Sequence, residues 1–201
     1  MVYPLNHPPA AQLVLASRSP YRRELLQRLH LPFEIAVPDV DETPLADEAP
    51  RALALRLACA KAHAVQRIWP DALIIGSDQV ALVDDVLLNK PGNHGNAVRQ
   101  LKLMRGKAVQ FFTALCVLNT SAARQQTAII SVTVHMRDLS DAEIERYLKA
   151  EQPYDCAGSA RIEGLGITLV ARLEGDDPNA LIGLPLIALC DMLRKEGMNL
   201  P

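Results

Sequence analysis

The stretch from Leu73 to Gln79 (Leu-Ile-Ile-Gly-Ser-Asp-Gln) constrains the fold more than any other. Its three bulky apolar residues, two of them β-branched, predict a buried strand. Glycine and serine follow, and then Asp78. A strand that delivers a carboxylate at its C-terminal end places an acid where ligands bind in α/β sheets. Taken alone, the same seven residues fit equally well an aspartate that only caps a turn.

Charged residues near the ends of other predicted elements favour the first interpretation of Asp78. Both cationic and acidic side chains are present. The residues are Arg18, Arg22, Arg23, Glu42, Lys61 and Lys90. We therefore interpret Asp78 as the centre of a phosphate-handling site.

The first polar loop has the features of an anion-binding site. Ser17-Arg18-Ser19 follows a short apolar strand at Leu13–Ala16, and Pro20 suits the first position of a helix capped by Ser19. Free N–H groups at a helix start attract anions. Ser17 is accordingly a candidate phosphate ligand.

The first turn of this helix carries Arg22 and Arg23, at the end where the helix dipole disfavours cations. Either arginine alone is explained by an ion pair with Glu24 or another acid. Two arginines beside a Ser-Arg-Ser loop favour a bound phosphate.

An acidic segment contains Asp39, Asp41 and Glu42. Most acidic loops are merely solvated. A triphosphate, however, is usually handled as its magnesium complex with one or two protein carboxylates. Lys61 lies beside the apolar face of a helix predicted from about Pro50 to Ile68, either directed along the core edge or snorkelling to solvent.

Later segments add a hairpin and two loops. Asp84-Asp85 between two apolar runs predicts a two-residue hairpin turn, although Asp-Gly is the stronger signal. Asn89-Lys90-Pro91-Gly92 places Lys90 on a rigid loop. Residues 153–166 are irregular, with Arg161 and Glu163 standing out, and are either a connector or a binding loop.

The order of these elements predicts an α/β fold: a mixed twisted sheet flanked by helices, with a hairpin-bearing second lobe. The 201 residues suffice for one such domain, with residues 1–12 as an N-terminal extension. A net charge of −2 gives no global basicity of the kind that duplex nucleic acid would require.

The cysteines and the apolar runs predict the compartment. Four scattered cysteines without a CxxC pair are typical of reduced, buried thiols. The N-terminus shows no pattern of a signal peptide, and no run approaches eighteen apolar residues. We expect a cytoplasmic protein with no membrane partner.

In the order and spacing of its motifs, the chain resembles the Maf family of nucleoside triphosphate pyrophosphatases from Leu13 almost to its C-terminus. No single motif is decisive, but their combination is highly specific. Besides the helix that carries Lys61, the matching segments are 16–23 (Ala-Ser-Arg-Ser-Pro-Tyr-Arg-Arg), 40–44 (Val-Asp-Glu-Thr-Pro), 76–79 (Gly-Ser-Asp-Gln), Lys90-Pro91, 154–159 (Tyr-Asp-Cys-Ala-Gly-Ser), 174–179 (Glu-Gly-Asp-Asp-Pro-Asn) and 183–185 (Gly-Leu-Pro). Ala114, where we expect glycine, and Arg18, often a small polar residue, depart from the pattern.

The resemblance implies a two-lobed fold with a cleft and hydrolysis between the α- and β-phosphates of a nucleotide. It assigns Asp78 as general base and Glu42 with Asp78 as ligands of a divalent cation, Mg²⁺ or Mn²⁺. The phosphate-binding residues would be Ser17, Arg22, Arg23, Lys61 and Lys90. The expected partner is then a small-molecule nucleotide, with no stable nucleic acid partner. A homodimer is also expected.

Within the family, Tyr21, Gln79 and Glu163 make the chain look like the branch that hydrolyses 7-methyl-GTP. Without the resemblance, Tyr21 would be a packing residue and Glu163 a solvated loop acid. One alternative is a pyrophosphatase of the same family that selects dTTP, UTP or inosine nucleotides. Another is a nucleotide- or RNA-binding regulator of cell division without turnover, because the cationic loops would serve binding equally well.

Overall fold

The computed structural model describes residues 12–201. Their central feature is a seven-stranded sheet in the order β2-β1-β3-β5-β6-β7, with the short β4 paired to the far end of β3. The strands are β1 (Gln12–Ala16), β2 (Glu34–Ala36), β3 (Ala72–Val83), β4 (Val86–Leu88), β5 (Ala108–Asn119), β6 (Arg124–Met136) and β7 (Val170–Glu174). The predicted N-terminal extension lies almost entirely outside the described residues.

Six α-helices accompany the sheet within this described range. They are α1 (Pro20–Gln27), α2 (Pro50–Val65), α3 (His94–Met104), α4 (Asp141–Glu151), α5 (Pro178–Ile182) and α6 (Leu186–Lys195). Short 3₁₀ turns cover Ala157–Ser159 and Leu165–Leu169. The predicted α/β class and mixed sheet are confirmed.

The sheet changes direction at β3. On one side, β1 pairs parallel with both β2 and β3. On the other side, β3 pairs antiparallel with β5 over Leu73–Leu82, and β6 and β7 continue the antiparallel part. Because β1 ends where Ala16 pairs with Gly76, β3 extends beyond its parallel neighbour and leaves a gap in the sheet there.

Helices cover both faces of the sheet near β1. Ile74 and Ala72 of β3 pack with α2, whereas Leu73 and Ile75 face α1 and α6. The alternation explains why this strand reads as a continuous apolar run, since both of its faces are buried. A third cluster joins the far halves of β3, β5 and β6 to α3 and α4. The packed region around β1 forms one lobe beside the gap, and this third cluster forms the other.

Local signals in the sequence fix several element ends. The Ser19 side chain accepts from Arg22 N at 3.4 Å, and Pro20 begins α1 as predicted. Asp84 and Asp85 both have positive φ (46° and 62°), as a two-residue hairpin turn of the favoured hand requires. Ser140 and Glu143 form a capping box at the start of α4.

Other predicted boundaries were wrong. The last strand, which the sequence predicts at 167–173, begins at Val170 because Leu165–Leu169 forms 3₁₀ turns. Helix α2 ends at Val65 rather than Ile68. The sequence predicts a turn cluster at 175–179, but residues 178–182 form α5. Within residues 12–201, no helix has the length and hydropathy needed to cross a membrane.

Candidate active site

A cavity of about 860 Å³ opens at the gap beside β3, between the two lobes. Its wall combines the residues after β1, the loop before α2, one face of α2, the middle of β3, the loop after β4 and the loop after α4. All but Arg23 of the residues predicted to bind substrate or metal lie on this wall: Ser17, Tyr21, Arg22, Glu42, Lys61, Asp78, Gln79, Lys90 and Glu163.

A smaller cavity of about 430 Å³ lies against β6 and the start of α6. Its lining includes Asp176, Asp177 and Asp191 and no lysine or arginine. This charge is wrong for a polyphosphate, so the larger cavity is the candidate active site.

Asp78 lies in the middle of β3, not at its C-terminal end as the sequence predicted. The strand continues because β5 pairs with it across this point, with Ala114 opposite Asp78. Asp78 nevertheless reaches the cavity, since the parallel neighbour β1 has already ended at Ala16, opposite Gly76. The change of strand direction beside β3 therefore still explains a ligand site here, although Asp78 does not end its strand as predicted.

Asp78 and Lys61 form a buried ion pair. Lys61 Nζ lies 2.5 Å from Asp78 Oδ1, and the two residues are 6% and 8% exposed. The same nitrogen lies 2.7 Å from Glu42 Oε1. Lys61 is thus not a snorkelling surface lysine, because α2 places it between two carboxylates.

Gly76 permits this placement. A Cβ built at Gly76 would lie 2.1 Å from Ala58 O and 2.9 Å from Ala62 N, both in the backbone of α2. Any side chain at this position would push the helix away from β3. The glycine before Asp78 thereby sets how closely Lys61 approaches the strand.

The Glu42 side chain is 60% exposed and sits among cations. Burial acts to raise the pKa of Glu42, but the hydrogen bond from Lys61 and the charges of Lys61, Lys90 and Arg22 outweigh it. The net effect lowers the pKa. Glu42 therefore stands as a carboxylate beside Asp78 at neutral pH.

This pair of carboxylates fits a divalent cation that arrives with a polyphosphate. Among residues 12–201, no group of three or more histidine, cysteine or acidic side chains forms a self-sufficient metal site. Glu42 and Asp78 converge on one nitrogen. Mg²⁺ typically takes one or two protein carboxylates and completes its shell with phosphate oxygens and water.

Arg22 and Arg23, both predicted to bind phosphate, have different positions relative to the cavity. Arg22 lines the cavity and donates from Nε to Gly183 O at 2.8 Å. Burial lowers its pKa, against the opposing charges of Asp78 and Glu42. Arg23 is exposed and lies off the cavity wall, because adjacent residues of a helix point about 100° apart.

The remaining predicted phosphate ligands reach the cavity from two loops. Ser17 is buried, and its Oγ accepts from Ser19 N at 3.1 Å, which closes the loop before α1. Lys90 is exposed and also lines the cavity. Its loop is tied to the loop after α4 by Gly92 N, which donates to Tyr154 O at 2.9 Å.

Gln79 is tied into the protein by its amide nitrogen. Nε2 lies 3.0 Å from Thr113 Oγ1, 2.9 Å from Ala180 O and 3.0 Å from Leu181 O. Its two hydrogens are therefore used, which leaves Oε1 as the group that can contact a ligand.

Tyr21 and Glu163 lie on the same wall of the cavity. Tyr21 donates its hydroxyl hydrogen to Asp155 Oδ2 at 3.1 Å. Burial, followed by the neighbouring Cys156 and Asp155, raises the pKa of Tyr21. The ring therefore stays neutral, and residues 153–166 are a wall of the cavity rather than a simple connector.

Sequence reasoning missed the contribution of α5. Its C-terminal carbonyls, which a helix leaves unpaired, accept from side chains of the site: Gly183 O from Arg22 and Ser77, and Ala180 O from Thr113 and Gln79. The sequence carries a signal for this helix: Asp177 is its N-cap, Pro178 its first residue and Gly183 the residue that ends it. In the structure Gly183 has a φ of 118°.

Several known proteins are similar to this chain over nearly its whole length. A 7-methyl-GTP pyrophosphatase of Polaromonas sp. (strain JS666) is 58% identical over 96% of this chain and 88% of its own length. The protein of that name from Methylobacillus flagellatus is 59% identical over 93% of this chain and 97% of its own. A third, from Cupriavidus pinatubonensis, is 58% identical over 94% and 95%.

The family match agrees with these relatives and with the cavity. Residues 12–196 match the Maf-like protein family, a range that runs from the start of β1 to the end of α6 and includes every residue of the cavity wall. The chain therefore belongs to the Maf-like protein family.

Proposed function

We propose that this chain hydrolyses 7-methyl-GTP to 7-methyl-GMP and diphosphate. The observation that carries the proposal is the buried Lys61–Asp78 pair, with Glu42 and Arg22 beside it in one cavity. The name of the relatives, 7-methyl-GTP pyrophosphatase, supports the substrate.

Asp78 is the proposed general base. Lys61 binds Oδ1, which leaves Oδ2 to orient a water molecule and accept its proton. The water oxygen attacks the α-phosphorus while the bond from that phosphorus to the bridging oxygen breaks. Diphosphate leaves with the bridging oxygen, and the nucleoside monophosphate keeps the new one.

The cations stabilise the charge that develops on the phosphate oxygens. We propose that Arg22 and Lys61 act at the α-phosphate, because both lie beside Asp78, and that Lys90 and Ser17 hold the departing diphosphate. Lys61 has to serve Asp78 and the phosphate together, which its three N–H donors allow. Arg23 would contribute only to the positive electrostatic potential of the site, at long range.

Glu42 and Asp78 would hold a divalent cation, Mg²⁺ or Mn²⁺. When bound, the ion supplies positive charge at the phosphate oxygens. The lowered pKa of Glu42 supports its role as an anionic ligand at neutral pH.

The base would lie against Tyr21 and Glu163. Methylation at N7 gives guanine a delocalised positive charge and leaves N1–H and the exocyclic amine as donors. The Glu163 carboxylate can accept from both and matches the charge. Tyr21 offers a ring face to the cation, and Oε1 of Gln79 remains free to accept from the base or sugar.

A turnover panel tests this function. Purified protein is incubated with 7-methyl-GTP, GTP, dTTP, UTP and ITP, with and without Mg²⁺ or Mn²⁺. Phosphate release is measured with and without added inorganic pyrophosphatase. We expect 7-methyl-GTP to give the highest kcat/KM and diphosphate as product. A preference for dTTP or UTP would make the protein a different pyrophosphatase, and binding without turnover would make it a nucleotide-binding regulator.

We further propose that residues 1–201 act as one catalytic domain in the cytoplasm and form a homodimer without a nucleic acid partner. The four cysteines are free thiols, which supports a reducing compartment. Light scattering of the purified protein, with and without nucleotide, tests the dimer.

A further inference from the structure

Three charged side chains form a chain of ion pairs behind the wall that carries Tyr21 and Glu163. Arg161 Nη1 lies 3.2 Å from Glu151 Oε1, and Arg161 Nε lies 3.6 Å from Glu163 Oε1. Of the three, only Glu163 lines the cavity. We call Glu151, Arg161 and Glu163 the acid–base triplet.

Arg161 also contacts the second proposed base-binding residue. Its guanidinium carbon lies 5.4 Å from the centroid of the Tyr21 ring. A positive charge therefore adjoins both Tyr21 and Glu163, the two groups that would receive a cationic base. Without a compensating negative charge, the Arg161 guanidinium would repel a cationic base and neutralise the Glu163 carboxylate.

Glu151 supplies the compensation. Its side chain is only 10% exposed, and it is the last residue of α4, where the helix dipole disfavours a carboxylate. Its Oε2 accepts from Leu165 N at 3.0 Å, which fixes the carboxylate against the loop after α4. A Cβ built at Gly164 would lie 2.6 Å from Glu151 Oε1, so the loop backbone passes directly over this group.

Arg161 lies closer to one of its two acidic partners than to the other, so its charge is compensated mainly by the closer one. The shorter ion pair is the one to Glu151. The buried Arg161 Nε has no hydrogen-bond acceptor among residues 12–201, so it faces Glu163 without bonding to it. Glu163 thus keeps its oxygens available, and the acid–base triplet keeps one net negative charge for the cavity.

We propose that Glu151 determines base specificity from outside the cavity. It holds Arg161 and so preserves the negative charge of Glu163 for a positively charged base. Glu151 and Arg161 are positioning residues that act through Glu163. This inference rests on the proposed function, because it concerns the same base-binding end of the cavity.

Counting charges predicts opposite effects for two substitutions. Glu151→Gln keeps the size of the side chain and an acceptor for Leu165 N but leaves Arg161 to neutralise Glu163. The ratio of kcat/KM for 7-methyl-GTP to that for GTP should fall roughly fivefold to tenfold, the effect of one unit charge about 4 Å away when solvent screens it as in bulk water. Arg161→Met adds a net negative charge and should leave the ratio equal to wild type or higher.

The double variant, Glu151→Gln with Arg161→Met, restores the net charge of wild type and should restore its ratio. Glu145→Gln is the matched control, since Glu145 lies on the same helix and pairs with His94 away from the cavity. The differences between variants should shrink as ionic strength rises, because salt screens the charges. kcat should change little, with the effects in KM.

A purely structural role of the acid–base triplet would lower the ratio in both single variants and give no recovery in the double variant. That result would overturn the inference, as would an unchanged ratio in Glu151→Gln. Calorimetric affinities for 7-methyl-GMP and GMP give the same comparison without turnover. A wild type that does not prefer 7-methyl-GTP would refute the proposed function, and the binding ratios of the variants would still decide the role of Glu151.

Discussion

Lys61 Nζ lies 2.5 Å from Asp78 Oδ1, and the two residues belong to a helix and a strand that pack face to face. A buried ion pair is weak grounds for stability, because desolvation offsets most of the attraction. Glu42 adds a second carboxylate to the same nitrogen. The arrangement is better explained by a ligand that brings both negative phosphate oxygens and a positive ion.

Asp78→Asn should retain the fold and nucleotide binding but lower kcat at least about a hundredfold, the usual loss when a general base is removed. Steady-state kinetics and calorimetric binding measure the two effects. Asp84→Asn, at the exposed hairpin turn, is the matched control and should leave kcat unchanged. If Asp78→Asn kept wild-type kcat, a different group would have to activate the water.

Glu42→Gln should reveal a pH-dependent contribution to stability. The pKa of Glu42 is lower in the folded chain than its ordinary value of 4.5. The carboxylate therefore stabilises the fold above that value and loses this effect as the pH falls through the folded pKa.

Thermal melts of ligand-free wild type and Glu42→Gln between pH 7 and pH 3 measure this effect. The wild type should melt higher at neutral pH, and the gap should narrow below about pH 4.5. Glu34→Gln, on the exposed edge of β2, controls for the loss of a surface carboxylate. A gap that widened toward low pH would contradict the assignment.

Gly76→Ala should destabilise the fold, because the added Cβ would overlap Ala58 O and Ala62 N of α2. Overpacking of this kind typically costs about 1–3 kcal/mol. The displaced helix should also move Lys61 from Asp78 and lower kcat. Urea unfolding and kinetics test both effects. Gly95→Ala is the control, since that site on α3 offers ordinary contacts of 3.7 Å or more and alanine favours a helix.

Arg22→Ala should weaken triphosphate binding and also lower the melting temperature of the free protein. Its side chain lies at the cavity and donates to Gly183 O, so both functions depend on it. Arg23→Ala should change neither substantially, because that residue is exposed off the cavity wall. Calorimetric titration with a non-hydrolysable triphosphate and melts without ligand separate the two. Equal losses of affinity in the two variants would instead support the prediction that both arginines bind phosphate.

Sequence signals were sufficient where the determining interaction is local. The cap at Ser19 and the hairpin turn at Asp84-Asp85 both follow from residues within a few positions of each other. Periodicity likewise placed Lys61 beside the apolar face of α2. Whether that lysine reached solvent or an acid depended on β3, which no local pattern reveals.

The misplaced elements share a non-local cause. Ser77, Asp78 and Gln79 interrupt an apolar run and so predict the end of a strand, but pairing with β5 carries β3 through them. The acid–base triplet joins Glu151 to residues in a loop whose composition indicated only irregular structure. Spacing along the chain gives no distance between α4 and that loop, so the partner of Arg161 was not predictable.

Glu163→Gln tests base recognition directly. The amide keeps the size of the side chain and one acceptor but loses the charge that matches a 7-methylguanine cation. We expect kcat/KM to fall about tenfold or more for 7-methyl-GTP, in the range of a charge-assisted hydrogen bond, and much less for GTP. Kinetics with both substrates on both proteins measure the difference. Because Asp78 and Lys61 are untouched, kcat at saturation should stay near wild type, and an equal loss on both substrates would show that Glu163 supports the cavity wall rather than the base.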